Sequence, residues 1–375
     1  MKEIWKNLTR KQIVLAITAA VSLMMFLILT VVSAHMRKGL ETQNMAGRWS
    51  EDGGVSQVSC FFSQNAAVDV NTIKAFEHSL DAALMEASIV SESPNANARL
   101  WADAYSSNAK LTLLSAGSKA EVNVIGVGGD FFLFHPLQLI SGSYFSESDL
   151  MQDKIIVDED TAWQLFGSND IVGQQVTIDG VIHLISGVIK RDSGRLNDMA
   201  GNGSSIVYVS YDTLQKNLAE KGQKAIINHY EVVMPNPVKD FAPGIVKEKI
   251  GVPENETEIV ENTTRFGLVP LLQIIGNFGM RSMNGKAIIY PYWENMARGY
   301  EDILSFILVL RILFVLYPIV ILMILLVYLW KHRTWHYADV RNFIERKCED
   351  LRIKIQNRKD NPKKNSKRRE FDYEE

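Results

Sequence analysis

Two apolar runs constrain this chain more than any other feature. Ile13–Ala34, IVLAITAAVSLMMFLILTVVSA, is 22 residues without a charge. Ile312–Trp330, ILFVLYPIVILMILLVYLW, is 19 more, extended upstream by Ile303–Leu310 with only Arg311 between. As a helix, either run is long enough to cross a hydrocarbon core of about 30 Å. Two spans place both ends of the chain on one side and the long middle segment on the other.

Charge says which side. Net charge is only −3, but residues 1–38 carry six Lys/Arg against one Glu, and residues 331–375 fourteen against nine Asp/Glu. The middle, 39–330, is therefore strongly acidic. Lys2, Lys6, Arg10 and Lys11 precede the first span, while Lys331 and Arg333 follow the second. Basic flanks stay in the cytoplasm, although Arg37 and Lys38 lie on the other side. The expected layout is a cytoplasmic N-terminus (1–12), a first span (13–34), an extracytoplasmic domain (39–300), a second span (303–330) and a cytoplasmic basic tail (331–375) of a plasma-membrane protein. Val32–Ala34 fits a signal-peptidase site, but the apolar run is longer than a typical h-region and basic residues follow it, which favours an uncleaved anchor. Cys60 outside and Cys348 inside cannot pair, so the outer domain is held by its own core.

Within the middle, Val55–Phe62 alternates as a strand. Ile73, Phe76, Leu80, Leu84 and Ala87 then recur at helical spacing, with Asn71 as N-cap. Two strand-like runs follow in 99–107 and 119–129. Asp158 or Asp160 caps a helix that Gly167 ends, and Gln174–Lys190 reads as a hairpin through Asp179-Gly180. A strand and a helix follow in 204–218, then a strand at 229–235 and a helix and strand in 238–265. The apolar, Gly-spaced run 266–285 reads as a turn-rich return to the membrane, after which one helix enters the second span from near Pro291.

Motifs that carry chemistry are missing: no P-loop, HExxH, paired CxxC or G-x-S-x-G. No cofactor is expected, nor a catalytic or metal residue. His332 and His336, spaced i, i+4, lack matching carboxylates. The run GVGGD (Gly126–Asp130) reads as a tight turn, and DED (Asp158–Asp160) as a helix cap. Arg311 is the one charge inside an apolar run; it either pairs with an acidic group on a partner span or snorkels to the outer interface. Pro318 predicts a kink whose freed carbonyl a neighbouring group must satisfy. These two are the candidate intramembrane contacts. In the tail, Val340, Phe343, Ile344, Cys348, Leu351 and Ile355 share one face of an amphipathic helix, a candidate contact for a cytoplasmic partner. PKKNSKRRE beyond it is a solvated basic run beside the inner leaflet.

The segment Gly126–Lys190 resembles the periplasmic core domain of MacB-type ABC transporter permeases. Leu139, Gly142 and Phe145 match first, then Asp158, Glu159, Ala162 and Leu165–Gly167, then Gly173, Val176, Ile178, Gly180, Ile185, Gly187 and Val188. The resemblance implies an α+β extracytoplasmic domain of two subdomains between two transmembrane α-helices. It further implies a non-enzymatic membrane subunit that couples the ATP-driven motion of a separate ABC ATPase to the outer domain, for export or envelope work. FFLFHPLQLISGSYF (131–145) is then chiefly packing, with Gly142 supplying the turn. A full permease of the family carries three spans after its outer domain where this sequence carries one, so a shortened two-span member is expected. Implied partners are the ATPase, a full-length permease, the bilayer and further subunits in a homo- or hetero-oligomer, with no nucleic acid. The alternative is a two-span receptor whose outer domain binds a ligand or envelope component.

Overall fold

The structure, a computed structural model, describes residues 9–50, 53–90, 98–115, 117–146, 148–281, 286–332, 341 and 344–353. The chain divides into two compact units. One comprises 27–312 and the other 1–26 with 313–375.

The larger unit is built on one ten-stranded mixed sheet. Its strands are β1 (Val55–Phe62), β2 (Ala102–Ser115), β3 (Ser118–Gly129), β4 (Leu139–Gly142), β5 (Lys154–Asp158), β6 (Gln175–Ile178), β7 (Val181–Ile189), β8 (Ile206–Ser210), β9 (His229–Pro235) and β10 (Thr257–Glu261). They run in the order β10-β1-β9-β2-β3-β8-β5-β7-β4, and β6 pairs with β2 and β7. Among the described strand pairs only β3·β8 and β5·β7 are parallel. The helices are α1 (Arg10–Lys38), α2 (Met45–Trp49), α3 (Val70–Glu86), α4 (Phe131–Phe134), α5 (Glu159–Phe166), α6 (Tyr211–Ala219), α7 (Phe241–Lys249), α8 (Leu268–Gly276), α9 (Phe278–Arg281) and α10 (Tyr292–Lys331).

Both faces of the sheet are covered, and strand alternation sorts side chains between them. From β1 and β9, Val58, Cys60, Phe62, Tyr230, Val232 and Met234 join Ile73, Phe76, Leu80 and Leu84 of α3 in the larger core. Val233 of β9 joins Met45, Phe131, Phe134, Tyr208 and Trp293 in a second core on the opposite face. Trp293 lies in the first turn of α10, so the helix that enters the second apolar run is rooted in that second core.

Local signals explain most elements. Asp158 caps α5 by accepting from Thr161 N at 2.8 Å, and Gly167 ends it in the left-handed region. Asp179 (φ 49°) and Gly180 (φ 88°) close the β6–β7 hairpin as a positive-φ pair. Gly142 has φ 78°, and a Cβ there would stand 2.1 Å from the Ser186 carbonyl oxygen. Three expectations are corrected. The cap of α3 is Asp69, accepting from Thr72 N at 3.0 Å, rather than Asn71. GVGGD is no turn: Gly126, Gly128 and Gly129 end strand β3, where Cβ atoms on Gly126 and Gly128 would run into Leu214 and the Tyr105 ring. The run 266–285 holds helices α8 and α9 among its described residues rather than turns alone.

The smaller unit contains residues 10–26 of α1 and 313–331 of α10, which among the described residues are the two helices long and apolar enough to cross a membrane. Pro318 has no N–H to give the Phe314 carbonyl. Ser22 Oγ of α1 donates to that carbonyl at 2.7 Å, so the freed acceptor is satisfied by the facing helix. One turn away, the Thr18 and Tyr317 hydroxyls are 2.8 Å apart. Pro318 is accommodated within the chain, and α10 continues through it.

Candidate functional site

The chemistry-bearing side chains of the domain gather where α1 leaves it and α10 enters it. Four segments meet there: the turn Glu41–Gln43 with α2, strand β9, the loop after β10, and the first three turns of α10.

Arg265 is the hub. It is buried, as are Glu294 and Glu301, both on the domain-facing side of α10. Arg265 Nε donates to Glu301 Oε1 at 2.8 Å. Its Nη1 donates to Glu294 Oε2 and to Gln43 Oε1, each at 2.8 Å, and Nη2 to Glu294 Oε1 at 3.1 Å. The Arg265–Glu294 contact is the two-pronged guanidinium–carboxylate geometry that fixes angle as well as distance. Burial opposes the charge of Arg265, but Glu294 and Glu301 outweigh it and hold the guanidinium protonated well above its ordinary range.

A second arginine extends the collar. Arg298 Nε donates to Glu294 Oε1 at 2.7 Å and its Nη2 to Glu258 Oε1 of β10 at 2.5 Å. Its guanidinium lies 3.8 Å over the Tyr290 ring, and Tyr290 OH donates to Glu258 Oε2 at 2.5 Å. Burial works against ionisation of Glu258, yet the bonds from Tyr290 and Arg298 prevail and keep it below the usual carboxylate range. On the α1 side, Gln57 of β1 receives Met45 N at 2.8 Å and donates to Thr42 O at 2.8 Å. Arg48 of α2 donates to Glu41 O at 2.5 Å, Leu133 O at 2.8 Å and Phe134 O at 3.1 Å.

Beneath the root of α10 lies a buried triad. His229 and Glu231 sit two apart on β9 and so share a face; His135 follows α4. His135 Nε2 is 3.0 Å from Glu231 Oε2, and His229 Nε2 is 3.1 Å from Glu231 Oε1. Ser59 Oγ donates to Oε1 at 2.7 Å. Trp293 lies against both imidazoles, with ring centroids 4.5 Å from His135 and 5.3 Å from His229. Burial pushes the His135 pKa down; it also opposes the Glu231 charge, which the two histidines nonetheless hold well below the carboxylate range. The carboxylate is therefore the charged member of the triad and His135 a neutral one. The three donor atoms lie within 4.8 Å of one another, a set with the chemistry to ligate a divalent cation. The approach of both imidazole nitrogens to a charged carboxylate accounts for the same distances without one.

Elsewhere, a cleft of about 980 Å³ is lined by Glu77, Asp81, Arg99, Trp101, Asp103 and Tyr105 among others. Burial and the neighbouring charge of Glu77 push the Asp103 pKa up to about 8.

Of the residues singled out by sequence, Arg311 is half-buried on α10. Ile344 and Leu351 are exposed on a helical stretch, 344–353, with Cys348 exposed beside them. Val340, Phe343 and Ile355 lie outside the described residues. His332 stacks on Tyr328 at 4.2 Å, and His336 lies outside the described residues. The structure brings together a different set: Arg265, Glu294, Arg298, Glu301 and the triad. The one local signal for the triad was the period-two spacing of His229 and Glu231.

The family model for the MacB-like periplasmic core domain matches residues 13–240. The chain belongs to that family. It is 30% identical over 130 residues to the macrolide export ATP-binding/permease protein MacB of Chromobacterium violaceum, a match covering 34% of this chain and 18% of that protein's length. Among solved structures it is similar to the periplasmic region of MacB from Actinobacillus actinomycetemcomitans. That match has 14% identity and a TM-score of 0.38, and covers 62% of this chain and 95% of the other. It is also similar to the extracellular domain of the noncanonic ABC-type transporter YknZ from Gram-positive bacteria, with 13% identity, a TM-score of 0.36, and coverage of 54% and 99%. Family membership and the two apolar helices make this a membrane protein with an extracytoplasmic mixed α/β domain. Membership also supports a transporter-subunit role.

Proposed function

We propose that the chain is a non-enzymatic membrane subunit of a MacB-like ABC system, relaying the ATP-driven motion of a separate ATPase to its outer domain. Both termini are cytoplasmic, with spans at 13–34 and 303–330 and the domain at 39–300. The tail face of Val340, Phe343, Ile344, Leu351 and Ile355 meets the cytoplasmic partner, and Arg311 meets a neighbouring span or the outer interface.

The observation that carries this reading is the collar around α10. Arg265 ties Glu294 and Glu301 of that helix to Gln43, just beyond α1, while Arg298 ties it to β10. Helix displacement along either apolar segment must therefore move the sheet or break buried charged hydrogen bonds, which are costly to leave unmade. A two-span receptor is the second reading, favoured by the cleft around Asp103 and Trp101.

The test is gentle detergent extraction of C-terminally tagged protein from native membranes, with mass spectrometry of what copurifies. Recovery of an ABC ATPase, lost on deleting 337–356, supports the subunit reading and its tail contact. Absence of any ATPase or permease, under conditions that preserve other ABC complexes, overturns it. A saturable ligand-induced shift in unfolding would then favour the receptor.

A further inference from the structure

Helix α8 and the short α9 after it carry a row of large apolar side chains with no protein over them. Leu268 is 60% exposed, Val269 63%, Phe278 61% and Met280 66%, with Leu272 and Ile275 also open. A solvated helix of this composition is a liability for a water-soluble surface. Its opposite side shows where it sits. Leu271 packs with Leu304, Ile307 and Leu308 of α10, and Leu29 and Met36 of α1 pack against the same cluster. Leu29, Leu304, Ile307 and Leu308 belong to the apolar stretches of the two membrane helices, and Met36 lies just beyond the first. On both, the exposed surface continues as Val31 and Val32 on α1 and Phe306 on α10. Immediately before α8, Arg265 closes the charged collar. The order along the chain is thus polar clamp, then apolar helix, at the level where the spans begin.

From this juxtaposition we infer that α8 and α9 lie in the outer membrane interface, their open apolar faces covered by lipid acyl chains. A helix lying in the interface buries its apolar side at the boundary between headgroups and chains. Leu268, Val269, Leu272, Ile275, Phe278 and Met280 supply that side. Gly267 precedes the helix, and its backbone N–H bonds Thr264 O at 2.8 Å, turning the chain from the collar into the membrane surface. The loop carrying Arg265 is then held between β10 and a membrane-bound helix, which sets the height of the collar above the lipid. This placement stands independently of the ATPase partner.

The test places an environment-sensitive fluorophore at single cysteines on the full chain in lipid nanodiscs, one copy per disc. Cys348→Ser removes the exposed thiol, and Cys60 is buried. Leu272→Cys and Phe278→Cys report the proposed face; Met85→Cys on α3, 76% exposed, is the water-facing control. The expected result is blue-shifted emission at 272 and 278, quenched by lipids brominated on their acyl chains and shielded from aqueous iodide. Position 85 should show the reverse. Labels at 272 and 278 that are quenched by iodide and untouched by brominated lipid overturn the proposal. So does protection that arises only when a second protein or a second copy is added. Either labelled position suffices, so failure of one variant to fold leaves the other as the readout.

Discussion

Replacing Arg265 by methionine tests the collar most directly. The substitution keeps an unbranched side chain of similar reach and removes the charge. It deletes four hydrogen bonds, at 2.8, 2.8, 2.8 and 3.1 Å. Removing one partner of a buried ion pair costs about 3–5 kcal/mol, because the remaining charge stays in a poorly solvating site. Glu294 keeps its 2.7 Å bond from Arg298, which puts the expected loss at the lower end, about 3 kcal/mol. For a domain of this size each kcal/mol shifts the midpoint by roughly 2–4 °C, so Arg265→Met should lower it by about 6–12 °C. The assay is thermal unfolding of the full chain in nanodiscs, followed by tryptophan fluorescence with Trp293 beside the site. If uncompensated charge is the cause, neutralising the acids in Arg265→Met/Glu294→Gln/Glu301→Gln should recover much of the loss. A single variant within about 1 kcal/mol of the parent would refute the reasoning. A triple variant no better than the single would show that the lost geometry matters, not the orphaned charge.

Other consequences follow from separate parts of the chain. Gly142→Ala forces a Cβ into φ 78° and to 2.1 Å from the rigid Ser186 carbonyl, so its unfolding midpoint should fall by the equivalent of more than about 2 kcal/mol. Asp103 has its folded pKa raised to about 8; its contribution to stability is full below the unfolded carboxylate pKa and disappears as pH rises through 8. Asp103→Asn should therefore remove a slope of up to about 1.4 kcal/mol per pH unit between pH 4 and 8, read from denaturant unfolding at several pH values. His135 behaves oppositely: with its folded pKa depressed, stability is lost as pH falls below the ordinary imidazole value, and His135→Gln should flatten unfolding free energy between pH 6.5 and 5 (roughly the window set by the unfolded imidazole). Ser22→Ala leaves the Phe314 carbonyl without its 2.7 Å donor and should cost about 0.6–2 kcal/mol of helix association, measured by energy transfer between labels on the two spans.

The parts of the fold written in local code were legible. β1 and the β6–β7 hairpin show their alternation and turn residues within a dozen positions, and α5 carries its own start and stop in Asp158 and Gly167. Errors arose where a residue's role depends on something distant. The GVGGD glycines are strand residues because Leu214 and Tyr105 need the space above them, and neither is near in sequence. Asp69 rather than Asn71 caps α3 because the helix starts one residue after Asp69, a difference the apolar periodicity cannot resolve. The collar was invisible for the same reason. Arg265 reaches Gln43 across 222 positions, Glu294 across 29 and Glu301 across 36. Composition treats each of these as an ordinary surface charge. The glycines of run 266–285 read as turns, yet Leu268–Gly276 is helix α8, where Leu271 packs inward while Leu268, Val269, Leu272 and Ile275 face out.

If the junction relays motion between helices and sheet, as proposed above, it has a reason to be polar. Apolar packing is strong but non-directional, and helices packed only by leucines can slide or rotate along shallow ridges. Arg265 is bound to Glu294 by two parallel bonds and to Glu301 by a third, which fixes the rotation of α10 as well as its height. The cost of burying these charges is large. That cost makes sense where a defined angle between α10 and the sheet is what the protein needs, and makes little sense for stability alone. Methionine at 265 with glutamine at 294 and 301 separates the two: stability should largely return while the fixed orientation does not. Distances between spin labels on β10 and on the outer turns of α10 would then broaden from one narrow distribution into several. If they stay narrow in a stable triple variant, apolar packing by Trp293 and Leu304 sets the angle, and the charges serve another purpose.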